Sequence, residues 1–225
     1  MAHSDDKHNL CTYGWECLST DFPYVYHMFR VRQDQVRWPD GHTSPYAYLQ
    51  ASGAVWIVPV TVDRQVVLIH QLRYTIADWC WEVPAGGSHD FTGTPLELAK
   101  RELAEEIGGT SDNWLYVGSF RPGVSIIDQV CHIILARDVR LDREPQREPG
   151  EIIEVHLVSV ERALEMARNG EMVDGTSALA LLRCEPYLQS RESLPLPPDH
   201  SPVAMARTVV RAEQGGVGSA DCGSR

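Results

Sequence analysis

The segment GGSHDFTGTPLELAKRELAEEIGG (residues 86–109) contains the strongest secondary-structure signals of the chain. Thr94 is a suitable N-cap, Pro95 suits the first helical turn, and Glu97 stands where a capping box requires it. Gly108 is a typical C-terminal stop. Apolar residues at helical spacing form one stripe between these signals: Leu96, Ala99, Leu103 and Ile107. The segment therefore predicts an amphipathic helix between the threonine cap and the glycine stop.

Three glutamates crowd together beside the apolar stripe of this predicted helix. At about 100° per residue, Glu102 and Glu106 lie nearly one above the other, and Glu105 completes an arc of about 100°. An ordinary explanation is a solvated acidic face on which Arg101 pairs with Glu105. However, the preceding PAGG loop (84–87) can bring a backbone carbonyl close to the carboxylates. Carboxylate and carbonyl oxygens are the ligands of hard cations, so the pattern favours a Mg²⁺ site.

Apolar and β-branched runs on both sides of this helix predict strands. The predicted strands are 24–36, 54–62, 65–74, 81–87, 114–120, 130–139 and 152–160. The second and third are predicted to form a hairpin, and the fourth ends in the glycine loop. Two further helices are predicted at 161–170 and at 176–185, the latter ended by Pro186. This order of elements indicates an α/β fold with a mixed sheet flanked by helices.

The composition of the 225-residue chain limits its function class. A net charge of -11 argues against nucleic-acid binding, which needs a basic surface. No apolar run approaches the roughly 20 residues of a membrane span, and the N-terminus lacks the apolar core of a signal peptide. Six scattered cysteines without a CxxC pair are typical of reduced thiols, so a cytoplasmic location is expected. A segment rich in Pro, Gly and Ser predicts a mostly disordered tail over 189–225.

The segment around the glutamates resembles a Nudix box, the motif G-x5-E-x7-R-E-U-x-E-E-x-G-U in which U is apolar. Seven positions agree at fixed spacing: Gly87, Arg101, Glu102, Leu103, Glu105, Glu106 and Gly108. Two positions differ, because Gly93 replaces the first glutamate and Gly109 replaces the final apolar residue. The loop between PAG and Gly93 is also one residue longer than is usual.

The resemblance extends across about residues 45–185. Over this range the chain is similar to the ADP-ribose pyrophosphatases and related nucleotide-sugar hydrolases. The matching segments are VVLIHQLRY, WEVPAGG, RPGVSIID and EIIEVHLVSVERALEMARNGEMVDGTSALALL. This resemblance implies a Nudix-type α/β/α sandwich with a mixed sheet over residues 51–188. It also implies that an N-terminal β-rich region (1–50) forms a homodimer that shares its active sites.

By the resemblance, the chain hydrolyses the diphosphate linkage of ADP-ribose or a related nucleoside diphosphate sugar. The products would be a nucleoside monophosphate and a sugar phosphate. Mg²⁺, with Mn²⁺ as a substitute, would neutralise charge and position the attacking water. Glu102 and Glu106 would bind the metal most directly. Glu105 would also bind the metal and take part in catalysis. The carbonyl of Ala85 would complete the set of metal ligands, and Arg101 would brace the glutamates by ion pairing.

Two further roles follow from the resemblance. Relatives carry a general base on the loop before the penultimate strand, where Glu151 is the best match and Glu148 the second. A solvated charged loop is the alternative for both glutamates. Arg73, in QLRY, matches an arginine that contacts substrate phosphates, a role that its fork of N–H donors suits. A surface charge at the end of a strand is the alternative for this arginine.

Because Gly93 stands where the motif has its first glutamate, a second function remains an alternative. Loss of a box glutamate is what decay of activity would produce, so a Nudix-fold sensor or scaffold that binds a nucleotide without turnover is the alternative. The three retained helix glutamates favour an enzyme. Asp90 and Glu97 are the nearest carboxylates that could compensate for the missing one.

The aromatic and histidine residues of the strands are expected to be structural. Trp79 and Trp81 share one strand face by alternation, and core packing is the more common role of tryptophan. His70, His132 and His156 lie in apolar strand runs. They are expected to be core or sheet-face residues rather than ligands.

Overall fold

The computed structural model describes residues 8–89 and 91–189. The helices in this part of the chain are α1 (His8–Cys11), α2 (Pro95–Ile107), α3 (Val160–Asn169) and α4 (Gly175–Gln189). The first six strands are β1 (Glu16–Val25), β2 (Phe29–Arg37), β3 (Thr43–Ala51), β4 (Ala54–Thr61), β5 (Gln65–Arg73) and β6 (Asp78–Glu82). The remaining strands are β7 (Ala85–Gly87), β8 (Gly109–Thr110), β9 (Asn113–Phe120), β10 (Ile127–Asp128), β11 (Cys131–Leu141) and β12 (Ile153–Ser159).

Eight of these strands form one mixed sheet. Its main order is β12-β5-β4-β11-β8, while β6 pairs with β5, β7 with β4 and β9 with β11. Strands β4 and β11 run parallel, and β5 runs antiparallel to β12 and β6. The mixed sheet predicted from the order of elements is therefore confirmed.

Helices cover both faces of this sheet because successive residues of β5 point into different cores. Val67 and Ile69 face a core that α2 fills with Leu98, Ala99, Leu103 and Ile107. Val66 and Leu68 face a second core that α3 and α4 fill with Val160, Ala163, Leu164, Ala180 and Leu181. The predicted α/β/α sandwich is confirmed, with α2 on one face and α3 and α4 on the other.

A second sheet, in the order β1-β2-β3-β10, contains the N-terminal strands. Strand β10 belongs to the loop after β9, and it pairs in parallel with β3 through Ile127 and Leu49. This pairing joins the N-terminal sheet to the rest of the chain. A cavity of about 480 Å³ lies between the sheet and this loop, lined by Trp15, Tyr46, Tyr48 and Arg121 among others. The division into regions 1–50 and 51–188 stays a prediction.

Two predicted strand features need correction. The predicted strand at 24–36 is interrupted, because the chain turns between β1 and β2 and the Tyr26 N–H donates to the Phe29 carbonyl at 2.8 Å. Alternating side chains continue through this turn without glycine or proline, so periodicity alone misses it. The predicted hairpin of β4 and β5 pairs only at Val60 and Val66. The two strands then separate because each forms ladders with other partners.

The structure also differs from the prediction at two places where the sequence predicts that an element ends. The glycine loop after β6 is instead strand β7, which pairs antiparallel with β4. Pro186 does not end α4 but lies within it. Although proline removes one helix hydrogen bond, the buried Leu188 packs in the core one half-turn later and holds the final residues in place. The predicted tail from residue 190 onward lies outside the described residues.

Two observations bear on the class of protein. Within the described ranges, no helix is both long and apolar enough to cross a membrane. Four cysteines in those ranges are free thiols: Cys17, Cys80, Cys131 and Cys184.

Candidate active site

Helix α2 begins and ends as its sequence predicts. The Thr94 hydroxyl accepts a hydrogen bond from the Glu97 N–H at 3.2 Å, and Glu97 Oε2 accepts one from the Thr94 N–H at 2.7 Å. At the other end, Gly108 has a φ of 65° and donates its N–H to the Ala104 carbonyl at 3.0 Å. A Cβ on Gly108 would lie 2.0 Å from the Arg143 carbonyl oxygen, so glycine is required there. These caps fix which residues of α2 face the sheet.

The two main predicted metal ligands are buried, which rules out a solvated acidic face for them. Glu102 is 9% exposed and Glu106 is 4% exposed. Desolvation raises the pKa of Glu102 to about 7, against the lowering effect of Arg101. Desolvation, with repulsion from Glu102 and Glu151, raises the pKa of Glu106 well above its usual value. Two buried acids this close favour the protonated form unless a cation joins them.

Arg101 and Glu105 lie at the edge of this buried pair. Arg101 Nη2 donates to Glu102 Oε1 at 3.0 Å, and its Nε lies 3.8 Å from Glu105 Oε2. The guanidinium also lies 5.0 Å from the centre of the Phe91 ring. The Glu105 side chain is 43% exposed, so it faces solvent more than the other two glutamates do. Arg101 therefore pairs with both Glu102 and Glu105, and its predicted bracing role stays a prediction.

Strand β7 lies directly against the α2 carboxyls. The Ala85 N–H donates to Glu106 Oε2 at 3.2 Å. A Cβ on Gly86 would lie 2.1 Å from Glu102 Cδ, so only glycine allows the Glu102 carboxyl to approach this closely. The contact made by Ala85 is through its N–H, and the predicted role of its carbonyl stays a prediction.

The loop between β11 and β12 is held on the C-terminal end of α2. The Gln146 N–H donates to the Glu105 carbonyl at 2.8 Å. Arg147 Nε donates to the Glu106 carbonyl at 2.9 Å, and its Nη1 donates to the Ile153 carbonyl at 2.8 Å. Arg147 therefore joins the end of α2 to the beginning of β12, and this contact fixes the residues between them.

Glu151 follows in this loop, and it acts on the buried carboxyls through its charge. Its charge contributes to the raised pKa of both Glu102 and Glu106. Glu148 is exposed, and its backbone N–H donates to Glu151 Oε2 at 2.9 Å. Of the two glutamates considered for the general base, Glu151 is therefore the one that acts electrostatically on the α2 pair.

Arg73 pairs with a carboxylate that the sequence analysis missed. Its Nε donates to Glu82 Oε1 at 2.7 Å, its Nη2 donates to the other oxygen, and Glu82 is 4% exposed. Glu82 contributes most to the raised pKa of Arg73, and the charges of Glu106 and Asp174 add to it. A charged residue inside the apolar run 79–83 was an available signal for Glu82. For Asp174 the signals were its place before a helix and its position at the end of the G-x-x-x-D pattern of residues 170–174.

Hydrogen bonds join the start of α4 to the segment between β6 and β7. Asp174 Oδ2 accepts from the Ser177 N–H at 2.8 Å, as an N-cap does. The hydroxyl of the buried Ser177 accepts from the Val83 N–H at 3.1 Å. This contact holds the chain next to Glu82 and so fixes the partner of Arg73.

The surroundings of Gly93 show what occupies the place of the first box glutamate. A Cβ on Gly93 would lie 2.4 Å from a Phe91 ring atom and 2.8 Å from Glu97 Oε2. The Phe91 ring, which also packs over Arg101, therefore fills this space. The Glu97 carboxylate is held at the helix start by Thr94. Asp90, the other carboxylate considered, lies outside the described residues.

The tryptophans of β6 lie on the sheet face opposite Glu82. Trp81 packs against the core formed with α3 and α4, in agreement with its predicted structural role. His132 is 5% exposed, and desolvation lowers its pKa to about 4, so it is a core histidine as predicted.

The residues present fit a hard divalent cation. Glu102 and Glu106 lie one turn apart on α2, and the negative charge of Glu151 adds to the desolvation that raises the pKa of both carboxyls. A bound cation relieves this cost of ionising them. Oxygen ligands of this type are those that Mg²⁺ prefers. Glu102, Glu106 and Glu105 would hold such an ion.

We expect Gly86→Ala to lower kcat/KM by about a hundredfold, because a displacement of about 1 Å at a reacting centre has an effect of that size. The added Cβ would push the Glu102 carboxyl, 2.1 Å away, out of its place. Steady-state kinetics measure the effect. Gly87→Ala is a matched control, because its Cβ would meet nothing nearer than His89 Nδ1 at 3.5 Å. Equal activity of the two variants would contradict the importance of this approach.

Comparisons with known proteins bear on the family and the fold of the chain. The model of the NUDIX domain matches residues 51–176. An ADP-ribose pyrophosphatase from Bacillus subtilis (strain 168) is 28% identical over 162 residues, which cover 72% of this chain and 85% of that protein.

Two further similarities extend the comparison. The CMP-5'-(N-acetyl-N-hydroxy-3-aminopropyl)phosphonate hydrolase of Streptomyces rubellomurinus (strain ATCC 31215) is 30% identical over 147 residues, covering 65% of this chain and 70% of that protein. A solved structure described as an ADP compounds hydrolase has a TM-score of 0.68 at 18% identity. The match covers 78% of this chain and 94% of that one, and it bears on the fold alone.

Proposed function

Because the chain belongs to the NUDIX family and is a Nudix hydrolase, we propose that it cleaves the diphosphate linkage of ADP-ribose or a related nucleoside diphosphate sugar. The products are a nucleoside monophosphate and a sugar phosphate. The observation that carries the proposal is the pair of buried carboxyls, Glu102 and Glu106, on consecutive turns of α2. Such a pair is costly without a bound cation, and a diphosphate is a substrate that a cation can bridge to an acidic site.

The cofactor we propose is Mg²⁺, with Mn²⁺ as a substitute. Bound Mg²⁺ would neutralise charge on the diphosphate and orient the attacking water. Glu102 and Glu106 supply its main ligands, and Glu105 and the Ala85 carbonyl complete the set. Arg101 keeps the Glu102 carboxyl in place through their ion pair at 3.0 Å.

Arg73 is proposed to bind the substrate phosphates. Its guanidinium is oriented by the bidentate contact with Glu82, and its side chain is 41% exposed. An arginine held by a buried carboxylate loses little further freedom when it binds, and its remaining N–H groups suit phosphate oxygens.

Glu151 is proposed to accept the proton of the attacking water. We expect Glu151→Gln to lower kcat by about a hundredfold or more, which is the usual contribution of a general base. Glu148→Gln is the matched control and should change kcat little, because its contact with Glu151 is made by the backbone. The pH dependence of kcat for both variants is the measurement. A larger loss from Glu148→Gln would reverse the assignment.

A hydrolysis screen with Mg²⁺ and Mn²⁺ tests the proposed function. ADP-ribose is the first compound because a relative is an ADP-ribose pyrophosphatase, and cytidine diphosphate and CMP compounds belong in the panel because another relative acts on a CMP compound. Chromatography should detect a nucleoside monophosphate and a sugar phosphate from one preferred compound. Saturable binding without turnover across the panel would instead favour the alternative of a catalytically inactive nucleotide sensor, which Gly93 motivates.

We also propose a cytoplasmic homodimer that forms through the N-terminal sheet. Strand β1 is an edge of that sheet, and exposed apolar side chains cluster at its end: Tyr24, Val25, Tyr26 and Met28. An unprotected edge of this kind favours pairing with a second copy. Sedimentation equilibrium should give a dimer at micromolar concentration, and Val25→Lys should shift it toward monomer. A monomeric wild-type protein would contradict the proposal.

A further inference from the structure

Three side chains with metal-binding atoms meet on the sheet face opposite the α2 carboxyls. His70 lies on β5, and Glu154 and His156 lie on β12, where Glu154 is paired directly with His70. Their ligand atoms all lie within 4.8 Å of one another. The two strands run antiparallel in a continuous register of seven pairs, so the backbone holds these residues together.

The distances within this histidine–glutamate cluster suit a shared cation better than direct hydrogen bonds. His70 Nδ1 lies 3.6 Å and His156 Nε2 lies 3.4 Å from the same oxygen, Glu154 Oε2. Good hydrogen bonds between such groups are shorter, at about 2.7–3.2 Å. Ligand atoms of a tetrahedral ion with bonds of about 2.0–2.1 Å are separated by about 3.3 Å. The two spacings are therefore close to those between the ligands of a bound metal ion.

Aromatic rings hold the two imidazoles. The His70 ring stacks on Trp81 with centroids 4.3 Å apart, and Trp79 lies 5.0 Å from it. Trp81 also contacts His156 edge-on at 4.8 Å. These contacts restrict the ring orientations and leave the ligand atoms open on one side, since the His70 side chain is 25% exposed and that of His156 is 40% exposed.

The cluster is separate from the site on α2. Ile69 of β5 and Val155 of β12 pack against the α2 core, so the residues next to them in each strand point the other way. Arg73 is three residues from His70 in β5, and side chains alternate along a strand. Arg73 therefore lies on the α2 side of the sheet, opposite to His70. A ligand bound by the cluster would not touch Glu102 or Glu106.

We propose that His70, Glu154 and His156 bind Zn²⁺ or a similar late first-row divalent ion. Two imidazoles and one carboxylate form a donor set that suits zinc, nickel and copper, whereas Mg²⁺ prefers the all-oxygen set on α2. Three protein ligands leave a fourth position for water. The ion would join β5, which ends at Arg73, to β12, which begins two residues after Glu151. This site lies beyond the proposed hydrolase function and is tested without an activity assay.

Isothermal titration of the full chain with Zn²⁺, in millimolar Mg²⁺ to fill the carboxylate site, tests the proposal. The wild type should bind one ion at the cluster, and His156→Gln should weaken that affinity by about a hundredfold, as expected for loss of a ligand. His42→Gln is the matched control. His42 also stacks on a tryptophan and pairs with a carboxylate, Asp40, but in the part of the chain that the structure describes no second histidine belongs to that group.

Fluorescence gives a second readout because Trp79 and Trp81 border the cluster. Ni²⁺ should quench the wild type and His42→Gln equally, and quenching should be lost in His156→Gln. Glu106→Gln should retain full Zn²⁺ affinity, which separates this proposal from the hydrolase site. Absence of Zn²⁺ binding by the wild type, or unchanged affinity in both His156→Gln and His70→Gln, would overturn it. Because His156 lies on an edge strand and is partly exposed, circular dichroism should find its variant folded even if His70→Gln is not.

Discussion

Glu106→Gln is expected to lower turnover by about three orders of magnitude at saturating Mg²⁺, because loss of an ionic ligand removes several kcal/mol of charge stabilisation. The substitution is isosteric, so the fold should survive it. The hydrogen bond that Glu106 accepts from the Ala85 N–H can pass to the amide oxygen. Steady-state kinetics across a Mg²⁺ titration measure both the loss of rate and any change in metal affinity.

Glu97→Gln is the matched control for this substitution. It is the same chemical change on the same helix, but Glu97 is exposed and serves the capping box, in which glutamine is also suitable. Its turnover should stay near that of the wild type. Near-normal activity of Glu106→Gln would remove Glu106 from the metal site.

Without divalent cations, the free energy of unfolding is expected to fall as the pH rises from about 4.5 to about 7. The pKa of Glu102 is raised from 4.5 to about 7 in the folded protein. A raised pKa favours folding while the unfolded chain is still protonated, and that advantage is lost as the pH rises through the folded value. The shift corresponds to about 3 kcal/mol, and Glu106 acts in the same direction.

Urea unfolding at pH 5 and pH 8, in EDTA and in Mg²⁺, measures this effect. Mg²⁺ should stabilise the protein more at pH 8, because it binds the ionised carboxylates of the folded state. Glu102→Gln should lessen the loss of stability with pH in EDTA, since glutamine does not ionise. A wild-type protein that is equally stable at both pH values without metal would contradict the buried position of these carboxyls.

Features that depend on neighbouring residues were predictable from the sequence. The capping box of Thr94 and the Gly108 stop were found where the local signals placed them, because a helix cap uses backbone and side-chain groups only three or four residues apart. The mixed sheet flanked by helices followed from the order of strand-like and helical segments, and the sandwich was implied by the family resemblance. The turn at 26–28 was missed because the alternation of side chains continues through it, and the continuation of α4 past Pro186 was missed because packing of Leu188 outweighs the local preference.

The sequence by itself therefore determined the family, the order of elements and the carboxylates of α2, because a motif of fixed spacing on one helix specifies its own geometry. Only the tertiary structure decided which distant residues join them. Glu82 pairs with Arg73, Gly86 leaves room for the Glu102 carboxyl, and the charge of Glu151 acts on Glu102, although the members of each pair come from different segments of the chain. Burial, which raises the pKa values of the α2 carboxyls, likewise exists only when the sheet packs against the helix.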